Sequence, residues 1–176
     1  MLQILATQKA IKNVGWDYET VRYDKRTPLF YLTNLTRVFN PYFMKGKIET
    51  FEKNRKLRGF PEVQKGNSIR NRCIAEYRKK YIGPYSPVYK GYSNLVQGSE
   101  NYDAVIVGSD QLWTPAGIKS KFYNLLFVPD RVKKVSFATS FGVGEVPSSQ
   151  RNMTKKYLER INSISVREIL GAMFYL

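Results

Sequence analysis

The sequence predicts an α/β protein built on a doubly wound parallel sheet, and three observations carry that prediction. Residues 104–107 and 134–139 are short apolar runs bounded by polar residues and glycine, as strands covered on both faces would be. Stripes at helical spacings of three and four alternate with such runs along the chain. Turn residues close each run at its carboxyl end, where sheets of this class hold their ligands.

The elements follow in order. Leu2, Ile4, Leu5, Ala6, Ala10, Ile11 and Val14 form one apolar stripe that stops at Gly15, which predicts a helix and its C-terminal cap. Residues 16–23 read as a strand closed by Asp24. No strand or glycine-rich loop precedes the first stripe, so Met1 is expected to fall inside an element. Residues 25–98 hold five of the eight prolines and no sustained strand pattern. Two surface helices, each with one buried stripe, are expected there: residues 46–57 around Ile48 and Phe51, and 69–81 around Ile74, Tyr77 and Tyr81. Residues 81–98 read as a loop with one further helical turn. Beyond the 104–107 strand and the 134–139 strand, Ser140, Phe141 and Gly142 turn the chain, and Ser148 or Ser149 is expected to cap a helix carrying Met153, Tyr157 and Ile161. A short strand at 164–166 leads through Arg167 and Glu168 into a last helix from Ile169. That helix presents Leu170, Met173, Phe174 and Leu176 with nothing to cover them. The whole, 1–176, reads as one incomplete domain with a basic, mostly helical insertion at 25–98 and a strand-rich part at 99–172.

Composition narrows the chemistry. Of 176 residues 43% are hydrophobic and 24% charged, which excludes wholesale disorder. The lone Cys73 excludes an intramolecular disulfide, and zero histidines exclude His-dependent triads, Cys–His dyads and the usual zinc sites. No apolar run approaches the ~20 residues of a membrane-spanning helix, and residues 1–10 lack the form of a secretory signal. A cytoplasmic protein is expected. The formal charge is +15, and between Arg22 and Lys90 there are 17 Lys and Arg against 5 Asp and Glu. Aromatic residues run through this stretch. Three readings are open: solvated faces of short helices, contact with an anionic membrane surface or an anionic glycan through 25–90, and nucleic-acid binding, which ranks last.

The most specific local feature is Val-Gly-Ser-Asp-Gln-Leu-Trp at 107–113. Gly108 allows close backbone approach, Ser109 and Asp110 can bind hydroxyls or cap a turn, and Trp113 either offers a flat face to a sugar or anchors the core. With its neighbours this segment resembles the polysaccharide pyruvyl transferase family. The resemblance rests on Leu2-Gln3 followed by Ala6 to Tyr23, on Tyr-Asp-Ala-Val-Ile-Val-Gly-Ser-Asp-Gln-Leu-Trp at 102–113, on Lys-Val-Ser-Phe-Ala-Thr-Ser-Phe-Gly at 134–142 and on Ile-Ser-Val-Arg-Glu at 164–168.

The resemblance implies a Rossmann-like domain, the N-terminal half of a two-domain GT-B-like fold with a cleft between the halves. It implies phosphoenolpyruvate as co-substrate with no cofactor or metal, and a saccharide acceptor of a cell-surface polysaccharide. A lipid-linked acceptor and a peripheral place at the inner membrane face are further expectations. The candidate substrate-binding residues are Ser109, Asp110, Gln111, Trp113, Ser140, Gly142 and Arg167, with Phe141 beside them. Arg167 either recognises phosphate or carboxylate or pairs with Glu168. The chain reads as the first half of a longer protein whose catalytic histidine lies elsewhere, so the isolated chain is expected to be inactive.

Overall fold

The computed structural model describes residues 2–28, 30–31, 41–108, 110–115 and 121–167. Side chains of residues 41–47 and of Lys53 are outside the description. In chain order the elements are α1 (Leu2–Asn13), β1 (Thr20–Asp24), α2 (Pro41–Arg58), α3 (Pro61–Tyr81), β2 (Tyr85–Lys90), α4 (Tyr92–Ser99), β3 (Ala104–Gly108), β4 (Lys133–Thr139), α5 (Ser148–Leu158) and β5 (Ser163–Val166). They divide into two compact units, Met1–Tyr18 with Tyr92–Leu176, and Glu19–Gly91. The α/β class with parallel strands is as predicted. The strands, however, form two sheets: β1 pairs with β2, and β3, β4 and β5 form the other in that order.

In the larger unit all three strands are parallel. Val105 and Val107 of β3 are buried while Ala104, Ile106 and Gly108 are half-covered, so one face carries most of the core. Helix α1 packs against this strand. Gly108 lies opposite Phe137, and a Cβ there would stand 2.3 Å from the Phe137 carbonyl oxygen, a distance only glycine tolerates. Strand β4 bulges against β5 between Ser136 and Thr139. Ala138 takes φ +50° at the bulge, and hydroxyls replace the broken ladder. The Thr139 hydroxyl donates to the Ser165 carbonyl at 3.3 Å, and the Ser136 hydroxyl accepts from the Ser165 N–H at 3.2 Å.

Strand β4 also carries a buried charge. The Lys134 side chain is 2% exposed, and its ammonium donates to the Pro129 carbonyl at 3.1 Å, the Asp130 carboxylate at 3.2 Å and the Val132 carbonyl at 3.4 Å. Arg160 reaches the same carboxylate at 3.0 Å and the Val128 carbonyl at 3.0 Å. Hydrogen bonds from Arg160 and Lys134 hold the Asp130 carboxyl below its ordinary range. Buried Leu125, Phe127, Val128 and Val132 complete the core, with Leu158 and Ile161 from and just after α5.

In the smaller unit β1 and β2 run parallel, with Tyr23 opposite Tyr89 and Asp24 opposite Lys90. Strand β2 corrects the expectation of a loop at 81–98. Its anchor is polar: buried Ser86 accepts the Arg22 N–H at 2.9 Å, and the Arg22 guanidinium donates to the Ser86 carbonyl at 2.7 Å. Helices α2 and α3 are longer than 46–57 and 69–81 because Pro41 and Pro61 begin them, Pro61 at a first-turn position where no N–H is needed. The Gln64 amide donates to the Arg58 carbonyl at 3.1 Å, satisfying the end of α2 from the start of α3.

Of the buried stripes expected on these helices, Ile74 and Tyr77 are half-buried and the remaining positions are exposed. Ile48, Phe51 and Tyr81 are 53%, 65% and 46% exposed, and α3 buries no residue. At α5 the cap position is Pro147 with no side-chain cap bond, and Ser148 already belongs to the helix. The last helix expected from Ile169 lies outside the described residues.

Candidate functional site

The carboxyl ends of β3, β4 and β5 bring the predicted residues together, and the main chain does the joining. Leaving β3, Asp110 accepts the Ser140 N–H on its carbonyl at 3.0 Å and the Leu112 N–H at 2.7 Å. Three residues past Asp110, the Trp113 N–H returns to the Ser140 carbonyl at 3.2 Å. The loops after β3 and β4 are thereby tied at two points. From the third strand, the Arg167 N–H donates to the Thr139 carbonyl at 2.9 Å.

The side chains sort into display and anchorage. Asp110 and Gln111 are exposed, and the Asp110 carboxylate accepts the Gln111 N–H at 2.9 Å. Gly142, at φ +66°, lies under Gln111: an added Cβ would come within 2.9 Å of the Gln111 amide carbon. Its N–H donates to the Ser140 hydroxyl at 3.0 Å. Ser140 is fully buried, so its hydroxyl shapes the turn and Gly142 provides the open backbone beside Gln111. Arg167 is exposed at the end of β5. Ser109 and Glu168 lie outside the described residues, and with them the proposed Arg167–Glu168 pair.

Trp113 takes the anchoring role of its two open alternatives. It is 1% exposed, its ring lies 5.5 Å from that of Phe141, and its indole N–H donates to the Tyr123 carbonyl at 3.1 Å. A ring so enclosed has no free face for a sugar. Phe141 is likewise core. Exposed apolar surface comes instead from Phe137, 44% exposed within β4, and Val143, 42% exposed beside Gly142. Sequence reasoning missed both. It took the β4 run as covered on both faces, although the alternation Val135, Phe137 against Ser136 could have placed Phe137 on the opposite side from the buried hydroxyls.

Among the described residues no group of three or more His, Cys, Asp or Glu side chains is placed to hold a metal ion. What the site offers is one exposed carboxylate, one amide, a bare glycine backbone and a guanidinium. That set suits hydroxyl-rich or anionic ligands. No helix among the described residues is long and apolar enough to cross a membrane.

The sequence model of a family described as polysaccharide pyruvyl transferase matches residues 1–176. No curated protein and no solved structure matches the chain.

Proposed function

Because the chain belongs to the polysaccharide pyruvyl transferase family, we propose that it supplies the saccharide-facing part of a site that moves pyruvate from phosphoenolpyruvate onto two hydroxyls of one sugar. In that reaction the enol CH2 gains a proton and becomes a methyl group, and the adjacent carbon forms bonds to both sugar oxygens. The phosphate ester bond to that carbon breaks. Of the two hydroxyl protons, one balances the methyl group and the other leaves with phosphate. The chemistry calls for an acid at the enol carbon, a base at the hydroxyl, and cationic groups on the donor's carboxylate and phosphate.

The observation that carries the reading is the pair of tied loops at the carboxyl ends of β3 and β4, which hold Asp110 and Gln111 exposed beside Gly142. A carboxylate and an amide side by side accept and donate to neighbouring sugar hydroxyls. The larger unit is read as a Rossmann-like domain facing a second domain across a cleft, as in GT-B folds, with a lipid-linked saccharide acceptor entering from the cytoplasm. The chain has no histidine, so the catalytic histidine implied by the family comes from outside these 176 residues.

The test is phosphate release from phosphoenolpyruvate together with saccharide binding by the isolated chain. Expected are binding without turnover, and at least a tenfold weaker saccharide affinity in Asp110→Ala and Gln111→Ala at unchanged melting temperature, the loss of one or two hydrogen bonds. Turnover by the isolated chain, or unchanged affinity in both variants, refutes the assignment.

A further inference from the structure

Helices α2 and α3 form an unusual surface for a protein of this composition. Residues 41–81 hold 12 Lys and Arg against 4 Asp and Glu. Every described charged side chain on them is exposed. So are the large apolar side chains Ile48, Phe51, Phe60, Val63 and Ile69, at 43% to 65%. Within Glu19–Gly91, Ile82 is the one fully buried apolar residue among those described. Among the described side chains of these helices, Leu57, Ile74 and Tyr77 are half-buried and none is fully buried.

On α2 the two kinds of side chain share a face. Ile48, Phe51, Arg55 and Arg58 follow at spacings of three, four and three, which puts them along one side of a helix. We propose that this face is a docking surface for an anionic lipid bilayer, with Ile48 and Phe51 entering the headgroup–acyl boundary and Arg55 and Arg58 held against lipid phosphates. α3 adds exposed Lys65, Arg70, Arg72, Lys79 and Lys80 to the same positive field. An apolar strip flanked by cations on a helix of low overall hydrophobicity is the pattern of a helix lying in a membrane interface.

Charge decides between occupants. A second copy of the chain would set one strongly positive surface against another, which repels. Nucleic acid satisfies the cations, but Ile48, Val63 and Ile69 have no ring on which a base stacks, and their exposure remains unexplained. An anionic bilayer satisfies both. This inference rests on residues other than those proposed for pyruvyl transfer and stands without that reading.

The experiment is co-sedimentation of the chain with phosphatidylcholine vesicles, with and without phosphatidylglycerol, at physiological salt of about 0.15 M. Binding to the anionic vesicles alone is expected, weakening as salt rises. Arg55→Gln/Arg58→Gln is expected to lower partitioning roughly 25-fold, at about fivefold per cation. Ile48→Ala/Phe51→Ala is expected to lower it about tenfold through lost apolar burial. All four positions are exposed and both replacements suit helices, and equal melting curves will confirm that the variants fold. Any one of these results would overturn the proposal: no binding of the parent chain to anionic vesicles, equal binding to neutral ones, vesicle binding indifferent to the apolar pair, or tighter binding to single-stranded or duplex nucleic acid than to vesicles. A dimer in free solution that Ile48→Ala/Phe51→Ala dissolves would overturn it in favour of self-association.

Discussion

Replacing Lys134 by methionine separates the two things that this buried side chain does. Methionine keeps most of the aliphatic body and removes the ammonium, so packing survives and three hydrogen bonds are lost. Those bonds measure 3.1, 3.2 and 3.4 Å, and the longest is weak. Asp130 is 84% exposed and keeps Arg160, so its carboxylate is not stranded. The Pro129 and Val132 carbonyls lose a charged donor, and Val132 is buried. Bonds to a charged group contribute about 1.5–3 kcal/mol each, while removing the ammonium also removes its desolvation cost. The net loss is expected to be about 2–3 kcal/mol, a fall in Tm of about 5–10 °C for a chain of this size. Lys134→Ala additionally loses three methylenes at about 0.8 kcal/mol apiece, for a total near 5 kcal/mol. Urea unfolding of the parent and both variants reads these differences directly. A Lys134→Met protein as stable as the parent, or more so, would show that the ammonium is a burden that a hydrophobe relieves, as happens with some buried ion pairs.

Asp130 links the same cluster to pH: its folded-state pKa is depressed by Arg160 and Lys134, so its stabilisation is complete above the unfolded-state value of about 3.9 and is lost as pH falls through the folded-state value. Urea midpoints measured from pH 6 down to pH 3 should drop less steeply in Asp130→Asn than in the parent; parallel curves would exclude Asp130 as a contributor, with Asp24, depressed chiefly by its hydrogen bond to Arg26, left to account for the slope. Gly108→Ala should unfold the larger unit or cost more than about 3 kcal/mol, because its new methyl meets a backbone oxygen at 2.3 Å; soluble protein with a parental melting curve would contradict the strand pairing described. Gly142→Ala is expected to cost only about 1–2 kcal/mol, since the obstacle is a movable Gln111 side chain and the remaining penalty is the positive φ. Its signature is weaker saccharide binding out of proportion to that loss, measured by titration calorimetry.

The strands of the larger unit were legible because their burial leaves a chemical trace. An uninterrupted Ala-Val-Ile-Val ending in glycine has few other ways to fold, and the structure puts β3 there to within one residue. Strand β2 left no such trace. It contains Pro87, and only Ser86 is buried, a position filled by a hydroxyl whose partner Arg22 lies 64 residues away. Local composition carries no information about a contact so distant. Pro41 and Pro61 were legible as breaks but not as starts, because the same fixed φ serves both. At the site, the grouping of Asp110, Gln111, Ser140 and Gly142 followed from the rule that ligands gather at strand ends. Which of them face outward depended on packing. Trp113 has the same composition whether it greets a sugar or rests on Phe141, and only the neighbouring Tyr123 carbonyl and Phe141 ring settle its place.

The two ties between the loops after β3 and β4, Ser140 N–H to Asp110 carbonyl and Trp113 N–H to Ser140 carbonyl, use no side-chain atom. Any residue with an N–H and a carbonyl can make them. The side chains at positions 110 and 111 take no part in these two ties, the Asp110 carboxylate bonding to the adjacent Gln111 N–H, and a lineage can exchange them while the ties stay in place. Inheritance here separates into a fixed part and a negotiable part. The fixed part is the glycine at 108, the enclosed Trp113–Phe141 pair and the left-handed turn at 142, while the negotiable part is positions 110 and 111, which are proposed to face the sugar. Descendants with a new acceptor are accordingly expected to differ first at those two positions, long before the strands that carry them change.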